Sequence, residues 1–199
     1  MSEVSDRRPS ARERLLAAGD ELFYHHGVHS TGIEKVIERA GVAKGSLYYN
    51  FGGKDQLVEA YLDARREAWM ARLTTATTGI DDPAARILAI FDAIGEYVSS
   101  PGFRGSEFAN AAAEAADDGP ERRAADRFRT SLREFFLARS TETGAADPAR
   151  LAEQLVVLHD GALATAQLDN GAGDAVATAR LMASLALNAA GVAVPTDPD

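Results

Sequence analysis

The chain has no cysteine, which excludes disulfides, thiolate metal sites and any thiol switch made by the protein itself. No uninterrupted apolar run approaches the roughly 20 residues that a membrane-spanning helix requires. The opening MSEVSDRRPS has no apolar core of the kind a signal peptide needs. A cytoplasmic location with no membrane partner is therefore expected. HExxH, GxSxG and any Glu-x-x-His pair are missing as well, so zinc-protease, serine-hydrolase and di-iron-bundle chemistry have no basis in the sequence. Gly52-Gly53-Lys54 is no phosphate loop, because Tyr48 stands where the required glycine belongs. Gly171-Ala172-Gly173 follows a predicted helix rather than a strand and reads as a turn. His25, His26 and His29 suggest a metal site, but no Cys or carboxylate lies at ligand spacing, and a solvated helix end accounts for them. No catalytic residue, metal or cofactor is expected, and the chain does not read as an enzyme.

What is present is an ordinary hydrophobic fraction, 46%, rich in Ala and poor in β-branched residues, with apolar positions spaced mostly by three and four. This predicts an all-α protein. The net charge of -9 is unevenly spread: residues 1–56 hold eight Lys/Arg and eight Asp/Glu, leaving 13 basic and 22 acidic residues for the remainder. Phosphate contacts depend on local cations rather than on overall charge, so a neutral N-terminal lobe beside an acidic one is compatible with DNA binding. A soluble acidic protein with uneven charge would look the same.

The predicted helices follow the punctuation. A polar arm carrying Arg7 and Arg8 precedes a capping box, Ser10 with Glu13, and an apolar stripe through Leu15, Leu16, Leu22 and Phe23 that stops at Gly27. Thr31 with Glu34 repeats the capping-box pattern for a short second helix ending at Gly41. Val42 is expected to plug the angle before a third helix in which Leu47 and Phe51 point inward and the residues between them outward; Gly52-Gly53 ends it. A long fourth helix runs to about Thr78, Asp82-Pro83 opens the fifth, and the sixth covers about Gly105–Ala116. The seventh carries Phe128, Leu132, Phe135 and Phe136. Asp147-Pro148 opens helix 8, and Asp174 is expected to cap helix 9. Two domains are expected, at 1–56 and 57–194.

Within this plan, Thr31–Lys54 reads as a helix-turn-helix that enters DNA. Gly45 allows the third helix to approach a duplex closely, Lys44 is a cationic donor for phosphate or guanine, and Ser46 is a short donor and acceptor. Tyr48, Tyr49, Asn50 and Lys54 fit phosphate contacts or apolar contact with thymine methyls, and Thr31 is expected to add a phosphate contact to its capping role. Tyr48 in the core and Lys54 on a solvated face are the competing readings.

Phe23, Gly27, Thr31, Ile33, Ala40-Gly41-Val42, Lys44-Gly45-Ser46-Leu47-Tyr48-Tyr49, Phe51 and Lys54 together make residues 10–54 resemble the DNA-binding domain of the TetR family of transcriptional regulators. Nine helices in this order match the family layout along nearly the whole chain. The resemblance implies a homodimer bound to a double-stranded DNA operator, usually as a repressor, with a small-molecule effector in the C-terminal domain. Two positions depart from many relatives: Gly32, where Ser or Thr is common, and Glu34, where Arg is common. Glu34 is read first as a capping-box partner and second as a base-specificity determinant.

Residues 102–114, from Gly102 to Glu114, resemble a sixth-helix segment of one group of these regulators, with Ser106 where Cys is frequent. Asn110 and Glu114, one turn apart, are candidates to orient a polar ligand group beside Phe103 and Phe108, or else they cap neighbouring helices. Trp69, Phe91, Phe128 and Phe135 are candidates for the same cavity or for plain core. His159-Asp160 is expected to be a buried hydrogen-bonded pair, with ligand contact by His159 as the alternative. The small and apolar surfaces of helices 8 and 9 suit a four-helix interface between two copies. Competing functions are a helical ligand-binding or enzymatic protein without DNA binding, and a DNA-binding dimer that senses no ligand.

Overall fold

The computed structural model describes residues 8–171 and 173–195; Arg7 and Ala172 lie outside them. The described secondary structure is wholly helical: α1 (Ala11–His26), α2 (Ile33–Ala40), α3 (Lys44–Phe51), α4 (Lys54–Thr77), α5 (Pro83–Val98), α6 (Glu107–Glu114), α7 (Pro120–Glu142), α8 (Pro148–Leu168) and α9 (Ala175–Ala189). No helix among the described residues is long and apolar enough to cross a membrane. The chain divides into two compact units. Unit 1 takes in the described residues of Met1–Ala64 together with Glu107–Ala125, and unit 2 those of Arg65–Ser106 and Asp126–Asp199.

Unit 1 begins as its sequence dictates. Ser10 Oγ accepts from the Glu13 amide at 3.2 Å and the Glu13 carboxylate accepts from the Ser10 amide at 2.7 Å, so the first orphan donors of α1 are satisfied reciprocally. Gly27, at φ 84°, ends α1 and donates to the Phe23 carbonyl. Leu15, Leu22, Phe23, Val36, Leu47, Phe51, Leu57, Tyr61 and Leu62 are all buried and form the core of this unit, with the Phe23 and Tyr61 rings 5.6 Å apart. Val42, the turn residue, is half-buried.

The second capping box does not form. The residue capping α2 is Gly32, and it offers no side-chain bond. Thr31 is fully buried, and its Oγ1 donates to the Gly27 carbonyl at 2.8 Å, with the Leu22 carbonyl at 3.4 Å. A buried hydroxyl must find an acceptor, and the carbonyls left over at the end of α1 are the nearest ones. The other end of α2 holds a feature that sequence spacing does not reveal: Arg14 reaches across to donate Nη1 to the Ala40 and Gly41 carbonyls at 3.2 and 3.0 Å. Those are orphan acceptors of a helix C-terminus, where a cation is favoured.

The later part of unit 1 is tied down by polar contacts. The His29 amide donates to Glu114 Oε2 at 3.0 Å, His29 Nε2 lies 3.7 Å from the buried Glu121 carboxylate, and Arg123 holds Glu59 through both Nε and Nη2.

Unit 2 is built around α5, α8 and α9. Ile87, Ile90, Phe91 and Ile94 of α5, Leu151, Leu155 and Leu163 of α8, and Ala183 and Leu187 of α9 are buried in its core, together with Leu73 of α4 and Leu132 and Phe136 of α7. Asp82 caps α5 by accepting from the Ala85 amide at 2.7 Å, and Asp147 caps α8 by accepting from the Arg150 amide at 3.0 Å, each with proline at the first helical position. Asp174 precedes α9 but makes no side-chain cap, contrary to the expectation.

Candidate functional site

The helix-turn-helix presents an exposed face at the start of α3. Ala43, Lys44 and Gly45 are exposed, Ser46 is half-buried, and Leu47 and Phe51 carry the inward stripe. Tyr49 is 91% exposed and Tyr48 is 49% exposed, so neither belongs to the core, and Lys54 is half-buried at the first position of α4. Asn50 turns its amide back to donate to the Ser46 carbonyl at 2.7 Å, which commits one end of that side chain to α3 itself. Thr31, expected to touch phosphate, is corrected: its hydroxyl is enclosed and bonded within unit 1. Glu34 is corrected likewise. Its carboxylate faces Lys44 Nζ at 3.5 Å instead of closing a capping box.

Three local rules are broken together at this helix start. Ala43 caps α3 with no side-chain bond, and no acidic residue occupies the first turn. A lysine, the wrong sign for the positive end of a helix dipole, opens the helix. Gly45 follows, in a conformation any residue can adopt, and a Cβ placed on it would meet nothing within 4 Å. Glycine inside a helix is unfavourable by about 1 kcal/mol relative to alanine. No close contact within the protomer accounts for it. Uncapped amides, a cation and a missing side chain are what an anionic backbone needs in order to come close.

The candidates for a ligand pocket are divided between the units. Phe108, buried, Asn110, half-buried, and Glu114, exposed, belong to unit 1. Glu114 is engaged by the His29 amide, because the turn after the left-handed Gly27 leaves that donor in need of an acceptor; the carboxylate is thereby committed to the turn rather than held open for a ligand. A Cβ on Gly27 would lie 2.7 Å from the same carboxylate.

Trp69, Phe91, Phe103, Phe128 and His159 belong to unit 2. Phe91 is wholly buried in α5. The indole Nε1 of Trp69 donates to His159 Nε2 at 3.2 Å, and His159 Nδ1 lies 3.0 Å from Asp160 Oδ1, whose other oxygen holds Arg129 Nη1. Indole nitrogen is only a donor, so His159 must accept at Nε2 and carry its proton at Nδ1, toward Asp160. The rings of Tyr97, Phe128 and Phe136 pack against Trp69 and His159, Phe103 lies edge-on to Tyr97 at 5.4 Å, and the Asp160 and Arg129 end of the chain is half-buried. Sequence spacing signals His159-Asp160 but not Arg129, which arrives from α7, nor Tyr97, which arrives from α5.

Asp160 gives this chain a pH signature. Burial pushes its carboxyl upward, but the hydrogen bonds from His159 and Arg129, together with the guanidinium charge, outweigh burial and hold it below its usual 3.8. A carboxyl lowered in the folded state stabilises fully above its unfolded value, and the contribution is lost as pH falls through the folded value. Asp160→Asn is therefore expected to lower the melting temperature at neutral pH, with the gap from wild type narrowing below about pH 4. A gap that stays constant from pH 7 to pH 3 in thermal denaturation would refute this.

Among the described residues no group of three or more His, Cys, Asp or Glu is placed to hold a metal ion.

The family model for bacterial regulatory proteins of the tetR family matches residues 15–61, which span α1 to the first turns of α4. Over 80 residues the chain is 36% identical to the HTH-type transcriptional regulator LmrA of Bacillus subtilis, a match that covers 40% of this chain and 43% of that protein. The matched part is thus under half the length of that curated relative. Solved structures reach further. A TetR-family transcriptional regulator from Streptomyces coelicolor is 32% identical with a TM-score of 0.83, covering 90% of this chain and 95% of that one. A putative TetR transcriptional regulator from Streptomyces avermitilis is 34% identical with a TM-score of 0.81, covering 93% and 100%. A likeness that runs through α1 to α9 at this identity, and not the helix-turn-helix alone, places the chain in the TetR family of bacterial transcriptional regulators.

Proposed function

We propose that the chain acts as a homodimeric repressor that grips a palindromic DNA operator and releases it when a small molecule binds, with residues 1–56 holding DNA and residues 57–194 serving dimerisation and effector binding. The observation that carries this reading is the start of α3, where Lys44, the unfilled space beside Gly45 and the uncapped amides are all unfavourable or idle within the protomer. Tyr48, Tyr49, Ser46 and Lys54 supply further donors and apolar surface around them. With so few cations per copy, tight binding needs two copies, their α3 helices about 34–36 Å apart in successive major grooves.

The dimer surface is assigned to α8 and α9. Val157, Leu168, Leu181, Met182 and Leu185 are exposed there, and a groove of about 550 Å³ runs past Val157, Leu158, Met182 and Ala186. Exposed apolar side chains in this number on two adjacent helices call for a covering partner, and a second copy supplies one. The effector reading rests on the Trp69–His159–Asp160–Arg129 chain, whose buried end, Trp69 and His159, is flanked by aromatic rings; a polar handle beside apolar walls suits a small organic molecule. An effector that binds free protein more tightly than DNA-bound protein shifts the equilibrium toward release.

The test is an electrophoretic shift with the DNA upstream of the chain's own gene, repeated at several salt concentrations. Binding that falls steeply and linearly on a log-log salt plot is expected. Absence of any shift at low salt would overturn the reading. Thermal-shift screening of small molecules then separates a sensing regulator from a dimer that senses nothing.

A further inference from the structure

Glu34 lacks the role inside the fold that its position promised. The capping box it would complete is absent, since Gly32 caps α2 with no side-chain bond and Thr31 is turned inward. Its carboxylate sits 3.5 Å from Lys44 Nζ, with the two side chains 73% and 62% exposed. An exposed pair of this kind contributes little to stability. A negative charge in the first turn of α2 does suit that helix's dipole, but an aspartate there would serve as well. What the pair does is place one acceptor-only head and one donor-only head side by side, one from each helix of the helix-turn-helix motif.

We infer that Glu34 is a specificity-determining residue: with Lys44 it reads a C·G base pair in each half-site, the carboxylate accepting from cytosine N4 and the ammonium donating to the O6 and N7 of the paired guanine. The inference rests on the DNA-binding reading above. In the major groove, guanine and the O4 of thymine present only acceptors, which repel a carboxylate, and adenine sets its N7 acceptor beside its N6 donor. Cytosine alone offers a donor with no acceptor on its own edge. The complementary guanine edge matches Lys44, so the two heads meet a donor and an acceptor of one base pair. Until the duplex arrives, the same carboxylate holds Lys44, and by repelling phosphate it weakens binding to DNA of other sequence.

The experiment uses the purified full chain as wild type, Glu34→Ala and Glu34→Gln, each incubated with a pool of DNA duplexes carrying a randomised central segment. Bound duplexes are sequenced and then competed against one another at several salt concentrations, and thermal melting of each variant checks its fold. Wild type is expected to enrich a C·G pair at two symmetric positions. Glu34→Ala should reduce discrimination there from roughly 10-fold or more to near parity, leaving the rest of the site unchanged. Glu34→Gln should move the preference toward adenine, whose N6 and N7 pair with an amide. The inference is overturned if both folded variants enrich the wild-type site with the same preference at every position, including the case in which they merely bind all duplexes more tightly. If wild type itself enriches nothing, the DNA-binding reading fails and this one falls with it.

Discussion

Gly45→Leu is expected to abolish operator binding while leaving the protein at least as stable as wild type. The two effects have opposite signs because they act on different partners. In the protomer, α3 gains a good helix former at an exposed position with no neighbour within 4 Å of the added Cβ, which favours the fold by up to about 1 kcal/mol. In the proposed DNA complex, the same side chain would stand where the two backbones come close. Specific affinity should then fall toward the non-specific level, a loss on the order of 10³-fold or more. Melting temperature and operator affinity, measured on the same preparation, decide the matter. Retention of tight operator binding by a stably folded variant would remove Gly45 from the interface.

Val157→Arg combined with Met182→Arg should give a folded monomer. Val157 is 65% and Met182 is 43% exposed, and both line the groove between α8 and α9, so neither substitution empties the core of unit 2. In the dimer, however, each copy would bring two guanidinium groups to an apolar surface with no carboxylate supplied by the change, which costs more than such an interface yields. Sedimentation equilibrium should show the single-chain mass of 21.1 kDa. Operator affinity should drop by roughly 10²–10⁴-fold, because the second half-site contact is no longer intramolecular. A variant that still sediments at twice the chain mass would move the dimer surface elsewhere.

The fold was readable from the chain wherever punctuation and period agreed. Ser10 with Glu13, Asp82-Pro83 and Asp147-Pro148 each open a helix as expected, because a capping side chain acts on amides only two or three residues away and leaves a local mark. The same local pattern misled at Thr31 and Glu34. There the carbonyl of Gly27, just past the end of α1, competes for the threonine hydroxyl, and a lysine ten residues along competes for the carboxylate. Both competitors come from tertiary structure, which spacing cannot encode. Arg14 at the end of α2 and Arg129 on Asp160 were illegible for the same reason, since each long side chain acts on a segment distant in sequence. Tyr48 and Tyr49 lay between Leu47 and Phe51 in the pattern and proved exposed, so the face was legible even though the partner of each side chain was not.

The aromatic residues are sorted by unit in a way that gives the molecule two optical channels. Its single tryptophan, Trp69, lies in unit 2 with one tyrosine, Tyr97, whose ring is 4.9 Å away, whereas Tyr24, Tyr48, Tyr49 and Tyr61 lie in unit 1. Indole emission therefore reports on the surroundings of Trp69 in unit 2, His159 and Tyr97 included, without any label being attached. Tyrosine absorbance is dominated by the other unit. Followed together during denaturation or titration, the two signals tell whether the units respond as one cooperative body or in succession.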